Sequence, residues 1–88
     1  MNWAYSFSDT ARAVLRKLDR QAQVQIVRYL DERIAQAEDP TRFGKPLSGG
    51  QQGYWRYRVG DFRIIGRIER ERLHVLVVKV GHRSTIYD

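Results

Sequence analysis

The sequence predicts an α+β domain: a strand, two amphipathic helices and then a three-stranded antiparallel meander, with both helices on one face of the sheet. Three observations carry this reading. Aromatic residues alternate at Trp3, Tyr5 and Phe7, and apolar residues recur at helical spacing between residues 11 and 37. After residue 53, β-branched and aromatic residues return in runs broken by turn-forming residues.

Ala4 and Ser6 separate the three aromatics, so the first strand has one aromatic face. Ser8-Asp9-Thr10 supplies side-chain oxygens able to cap a helix. Ala11, Val14, Leu15 and Leu18 then follow at i, i+3, i+4 and i+7, and Arg12, Arg16 and Lys17 occupy the opposite face. Asp19 caps the second helix. Ile26, Val27, Leu30, Ile34 and Ala37 line its inner face, while Arg28, Asp31, Glu32 and Arg33 face water. Asp39-Pro40 ends it, because proline disfavours helix in the residue before it. Residues 39–52 form the long connection, with both prolines and Gly44, Gly49 and Gly50, and Leu47 is positioned to dock on the core. The strands are expected at 53–59, 62–68 and 73–80, with turns at Gly60-Asp61 and at residues 69–72.

A chain of 88 residues is expected to form one domain spanning 1–88, near the lower limit for a core without staples. It has no cysteine, which excludes disulfides and thiolate metal sites, and two histidines alone do not build a structural zinc site. No metal and no cofactor is expected. The longest apolar run, 73–80, is broken by His74 and Lys79 and is too short to span a bilayer. The N-terminus lacks the basic and apolar segments of a secretory signal, so a cytoplasmic location is expected. Charge is uneven. Residues 1–44 hold 7 Lys/Arg against 6 Asp/Glu, and residues 45–88 hold 9 against 4. A pI near 10.2, concentrated in one half, points to nucleic acid or an acidic protein partner; solubility alone is the plainer alternative.

The stretch Gly53-Tyr-Trp-Arg-Tyr-Arg-Val-Gly-Asp-Phe-Arg63 sets three arginines among four aromatics. A two-residue turn at Gly60-Asp61 places Val59 opposite Phe62, Arg58 opposite Arg63, Arg56 opposite Ile65 and Tyr54 opposite Arg67. Opposed residues share a face. Tyr54, Arg56, Arg58, Arg63 and Arg67 therefore fall together, and Trp55, Tyr57, Val59, Phe62, Ile64 and Ile68 face the helices. Carried through the second turn, this register pairs Ile68 with Leu73. It sends Leu73, Val75 and Val77 to the core, and His74, Leu76 and Val78 to the arginine side. Like charges directly opposite each other are destabilising, so Arg58 across from Arg63 implies a bound anion. The alternative is a solvated face whose arginine stems cover aliphatic surface. Gly81 lets the chain bend after the last strand, delivering His82, Arg83 and Tyr87 to the edge of the basic face.

On these residues the chain resembles the RelE/ParE superfamily of bacterial toxins, and more closely its RelE branch. The resemblance rests on the strand-helix-helix start, the Lys45-Pro46-Leu47-Ser48-Gly49 loop, Tyr54 to Ile65, and Val80-Gly-His-Arg83 followed by Tyr87. It covers essentially the whole chain. It implies a metal-independent endoribonuclease that cuts messenger RNA in the ribosomal A site. Arg63 would stabilise the scissile phosphate, and Arg83 would assist the leaving group. Tyr87 would stack on or orient a base, and Arg56 would bind phosphate or help activate the nucleophile. The chain departs from the best-known pattern in carrying aromatic Tyr54 at a basic position, and in placing Tyr87 closer behind Arg83.

RNA supplies its own nucleophile, the ribose 2′-hydroxyl, so the protein has to align, deprotonate and neutralise. Arginine is a poor base, and His82 is the candidate proton acceptor. Arg58, Arg67 and Lys45 complete the expected phosphate-binding set. The implied partners are the ribosome, messenger RNA and an antitoxin with an acidic, partly disordered segment. No membrane is expected. Two further functions stay open: non-enzymatic inhibition of DNA gyrase, as in the ParE branch, and plain nucleic-acid binding.

Overall fold

The computed structural model describes residues 2–47 and 53–86. Strand β1, Ala4–Phe7, leads into helix α1, Asp9–Lys17, through Ser8, whose Oγ accepts a hydrogen bond from Ala11 N at 3.1 Å. Asp19 repeats the device for helix α2, Arg20–Tyr29, accepting from Ala22 N at 2.8 Å. These two caps satisfy amide groups that the helix itself leaves unpaired. The chain then widens into a π-turn, Leu30–Ile34, closed by Ala35 N donating to Leu30 O at 2.8 Å. Residues spaced by four drift around an α-helix, and the wider turn returns Ile34 to the line of Ile26 and Leu30. All three are at most 1% exposed.

The sheet has five strands in the order β1-β5-β4-β3-β2, one more than the sequence predicts. The extra strand is β2, Lys45–Pro46, which pairs with Arg56 and Trp55 of β3, Tyr54–Val59. Two residues in a proline- and glycine-rich connection carry no strand period, which is why this pairing left no sequence signal. β3 and β4, Phe62–Glu69, form the hairpin in the expected register, with Arg58 opposite Arg63 and Val59 opposite Phe62. Gly60 sits at φ 58° in that turn, a left-handed conformation natural to glycine. β5, His74–His82, is flanked by β4 antiparallel and by β1 parallel.

The second connection corrects the expected register. Arg70–Arg72 makes a 3₁₀ turn and Leu73 takes φ 49°, so Ile68 pairs with Val75 rather than with Leu73. A shift of two residues preserves the face, and Val75 and Val77 remain in the core, at most 1% exposed. Further along, Ile65 pairs with Lys79 but Gly66 pairs with Val77, leaving Val78 as an extra residue. This β-bulge reverses the facing of everything after it. Lys79 and Gly81 turn to the arginine side, and Val80 turns to the core.

The core lies between the helices and one sheet face. Trp3, Ala11, Ile26, Leu30, Ile34, Tyr57, Val59, Ile64, Val75, Val77 and Val80 form it, with Trp55, Phe62 and Ile68 partly buried against it. Tyr57 is buried there with its hydroxyl donating to Pro40 O at 2.9 Å. Val27 corrects the helical reading: it is 36% exposed, beside Val24 on the outer face of α2. Ala37 lies beyond the helix. Among the described residues no helix is long and apolar enough to cross a membrane.

Candidate nucleic-acid interface

The face of the sheet turned away from the helices carries the arginines, and geometry divides them into two groups. Arg56, Arg58 and Arg63 come from the β3–β4 hairpin; a 3₁₀ turn, Pro40–Phe43, and β2 add Arg42 and Lys45. Together these five line a cavity of about 370 Å³, completed by Phe43 and Gly44. No carboxylate is among its described lining residues. Arg42 was missed in the sequence because it stands in an irregular connection where no period assigns a face. Lys79, which the bulge turns onto the same side as Ile65 and Arg56, was missed because a bulge has no sequence signature here.

Arg63 is the centre of the positive field. Its guanidinium acidity is raised, the pKa falling below the usual arginine value, first through desolvation and then through Arg58, Arg56 and Arg83, with Asp61 opposing. The group still carries its charge at neutral pH. Nη1 of Arg63 donates to Gly60 O at 3.0 Å and Phe62 O at 2.9 Å, which holds the side chain along its own hairpin. Arg83 is exposed and is not among the residues lining the cavity; its backbone N donates to Asp61 O at 2.8 Å and its side chain lies 3.9 Å from the Asp61 carboxylate. Beside Gly81 the chain folds back so that Ile86 is buried; a side chain at Gly81 would meet Ile86 Cδ1 at 2.8 Å. Tyr87 lies outside the described residues.

The second group sits at the other end of the face. Arg67 donates to Glu69 Oε2 at 2.8 Å, and Glu69 Oε1 lies 2.7 Å from His74 Nδ1. His74 Nε2 in turn lies 2.9 Å from Ser6 Oγ, so one chain of polar contacts ties β4 to β5 and β1. The Glu69 carboxyl is held below its usual pKa, first by the hydrogen bond to His74 and then by that to Arg67. Arg67, expected in the phosphate-binding set, is thus engaged with a carboxylate outside the cavity.

His82 is not brought to the arginine face either. The bulge pairs it with Phe62, and the two rings meet edge to face with centroids 5.8 Å apart on the helix side of the sheet. Its Nδ1 accepts from Ser84 N at 3.2 Å and lies 2.9 Å from Ser84 Oγ. A neutral ring there carries its proton on Nε2.

Comparison with known proteins decides the family. The model for the ParE toxin of type II toxin–antitoxin systems matches residues 5–87. This chain belongs to the RelE/ParE superfamily of type II toxins. Toxin RelG of Mycobacterium tuberculosis is 32% identical over 87 residues, covering 99% of this chain and 98% of that protein. The toxin–antitoxin complex RelBE2 from the same organism contains a chain 30% identical to this one, with a TM-score of 0.84, covering 94% of this chain and 100% of the other. The isolated RelE toxin of E. coli shares the fold at a TM-score of 0.73 and 21% identity, covering 91% of this chain and 83% of that one. In this chain two helices pack on one face of a small sheet, and the opposite face bears the cationic cavity.

Proposed function

We propose that this toxin is a ribosome-dependent endoribonuclease that cuts messenger RNA in the A site and arrests translation in the cytoplasm. The observation that carries the proposal is the cavity in which Arg56, Arg58 and Arg63 converge with Arg42 and Lys45, with no carboxylate among its described lining residues. Such a site is matched to a phosphodiester. Attack by the 2′-hydroxyl builds charge on the phosphoryl oxygens, and Arg63, crowded by like charges, stabilises it best when an anion arrives. Arg83, beside the hairpin turn and among the charges acting on Arg63, neutralises the leaving oxygen, and Tyr87 stacks on or orients a base. Proton transfer is the weakest part of this equipment, since arginine is a poor base and His82 lies across the sheet from the cavity. That poverty fits an enzyme whose substrate is aligned by the ribosome.

The toxin is inert in its host when an antitoxin covers it. An acidic segment that folds onto the chain would mask Arg56, Arg58 and Arg63. The groove of about 530 Å³ between α2 and the hairpin, lined by Val24, Tyr29 and Arg28 among others, offers its apolar face a seat. The complexes formed by RelBE2 and by other structural relatives support such a partner.

The match to a ParE model favours one second reading, inhibition of DNA gyrase without catalysis. Translation in vitro followed by primer extension, run beside a gyrase supercoiling assay, separates the two. Cuts within A-site codons are the expected result. Supercoiling inhibition with intact message would overturn it.

A further inference from the structure

We infer that Phe43 is a stacking platform for a nucleobase next to the phosphate held in the cationic cavity. The inference rests on the nuclease reading above and adds a base-binding subsite to it. Phe43 is 38% exposed, and it is the one aromatic among the large hydrophobic side chains left exposed in the described residues. It lines the same cavity as Arg42, Lys45, Arg56, Arg58 and Arg63. The Arg33 guanidinium, reaching over from the π-turn, lies 5.5 Å from the ring centroid. An aromatic face beside converging cations is what a single-stranded polyanion with flat bases requires. The guanidinium above the ring adds a cation–π contact and a second surface on which a base can stack.

The ring is held in place rather than left loose. Asp39 Oδ1 caps the 3₁₀ turn that carries it, accepting from Thr41 N at 3.1 Å and from Thr41 Oγ1 at 2.7 Å. Tyr57 anchors the same end of the turn through Pro40 O at 2.9 Å, and at its far end Gly44 N donates to Thr41 O at 3.2 Å. Gly44 then lies flat against β3, where a side chain would meet Arg56 O and Tyr57 Cε1 at 2.8 Å. The close approach sets Phe43 at the lip of the cavity. Phe43 lies outside the core cluster, so its ring stands at the surface beside the cations, held by the turn and by Arg33.

The test is fluorescence anisotropy of a labelled single-stranded oligoribonucleotide, 2′-O-methylated to prevent cleavage, with the purified toxin and its variants. Phe43→Ala is expected to weaken binding roughly 5- to 150-fold, the range of one base–aromatic stack. Phe43→Trp is expected to restore it, and Phe43→Leu, which keeps apolar bulk without a π-face, is not. Circular dichroism melting of each variant confirms that it is folded. Parent-like binding by Phe43→Ala and Phe43→Leu, with binding lost in Arg63→Ala, overturns the platform and leaves the nuclease reading standing. Parent-like binding by Arg63→Ala as well overturns the cavity as the phosphate site, and the platform with it; no binding by the parent overturns the platform, while the nuclease reading stands or falls on primer extension with ribosomes. Phe43→Ala that binds RNA normally but loses an acidic partner chain also overturns the platform, assigning the ring to that partner.

Discussion

Arg63 illustrates how a single side chain is tuned by its neighbours. Its guanidinium is crowded by Arg58 across the hairpin, by Arg56 and by Arg83, so a bound phosphate relieves repulsion as well as forming hydrogen bonds. Arg63→Ala and Arg83→Ala are each expected to reduce cleavage roughly 10²- to 10³-fold, measured by primer extension on translating ribosomes, because each removes one stabiliser of developing charge. Neither change leaves a cavity in the core, and an unchanged melting temperature is the accompanying expectation. Full toxicity of both variants at equal expression would remove these residues from the mechanism. Tyr57 behaves in the opposite way. It is 1% exposed and its hydroxyl satisfies Pro40 O, so Tyr57→Phe is expected to cost about 1–3 kcal/mol in urea unfolding by stranding a buried carbonyl. The arginines were legible from the strand period. The buried hydroxyl was not, because its partner stands 17 residues away in an irregular turn.

At the scale of elements, α2 and its π-turn separate residues that look equivalent in sequence. Ile26 and Val27 are adjacent aliphatics, yet one is fully buried and the other 36% exposed. Ile26→Ala is expected to cost about 2–5 kcal/mol in denaturant unfolding, the range for emptying a packed core site. Val27→Ser is expected to fall within about 0.5 kcal/mol of the parent, as at other surface positions. Equal effects would place the inner face of α2 elsewhere. The β4–β5 bulge acts similarly on the other side of the molecule. One unpaired residue, Val78, moves Lys79 onto the cationic face and takes His82 off it. A bend at Gly81 was expected to bring His82 to the arginines, but β5 continues through His82, which stays in the ladder opposite Phe62.

For the whole molecule, charge and protonation give two readouts. RNA binding is expected to weaken steeply with salt, log K falling against log salt by about 0.7 per phosphate contacted. Arg58→Ala should make that slope shallower by about 0.7, and a slope unchanged by the substitution would exclude Arg58 from phosphate contact. Stability depends on pH through Glu69, whose folded pKa is depressed by His74 and Arg67. Its contribution is fully present above the unfolded value near 4.5 and is lost as pH falls through the lower folded value. Glu69→Gln is therefore expected to flatten the acid limb of a melting-temperature profile; an unchanged limb would show that the Ser6–His74–Glu69–Arg67 chain contributes nothing there. At the alkaline end, Tyr5 is pushed up to about 12, first by burial and then by Asp31. Tyr29 and Tyr57 are raised mainly by burial. Their stabilisation is full below the ordinary tyrosine value near 10 and is lost as pH rises through the raised ones.

What the sequence determined by itself was local: the caps at Ser8 and Asp19, the helical faces through Ile26, Leu30 and Ile34, and the Gly60-Asp61 hairpin with Arg58 opposite Arg63. Each depends on contacts a few residues apart, so spacing and turn chemistry suffice to specify it. The tertiary structure alone decided that β1 lies parallel to β5, that Lys45–Pro46 joins the sheet, and that Arg42 and Phe43 reach the cationic cavity. It also separated His82 and Arg67 from that cavity. These placements depend on which distant backbone groups find partners, and on one bulge that reverses a strand's facing, and neither leaves a period in the chain.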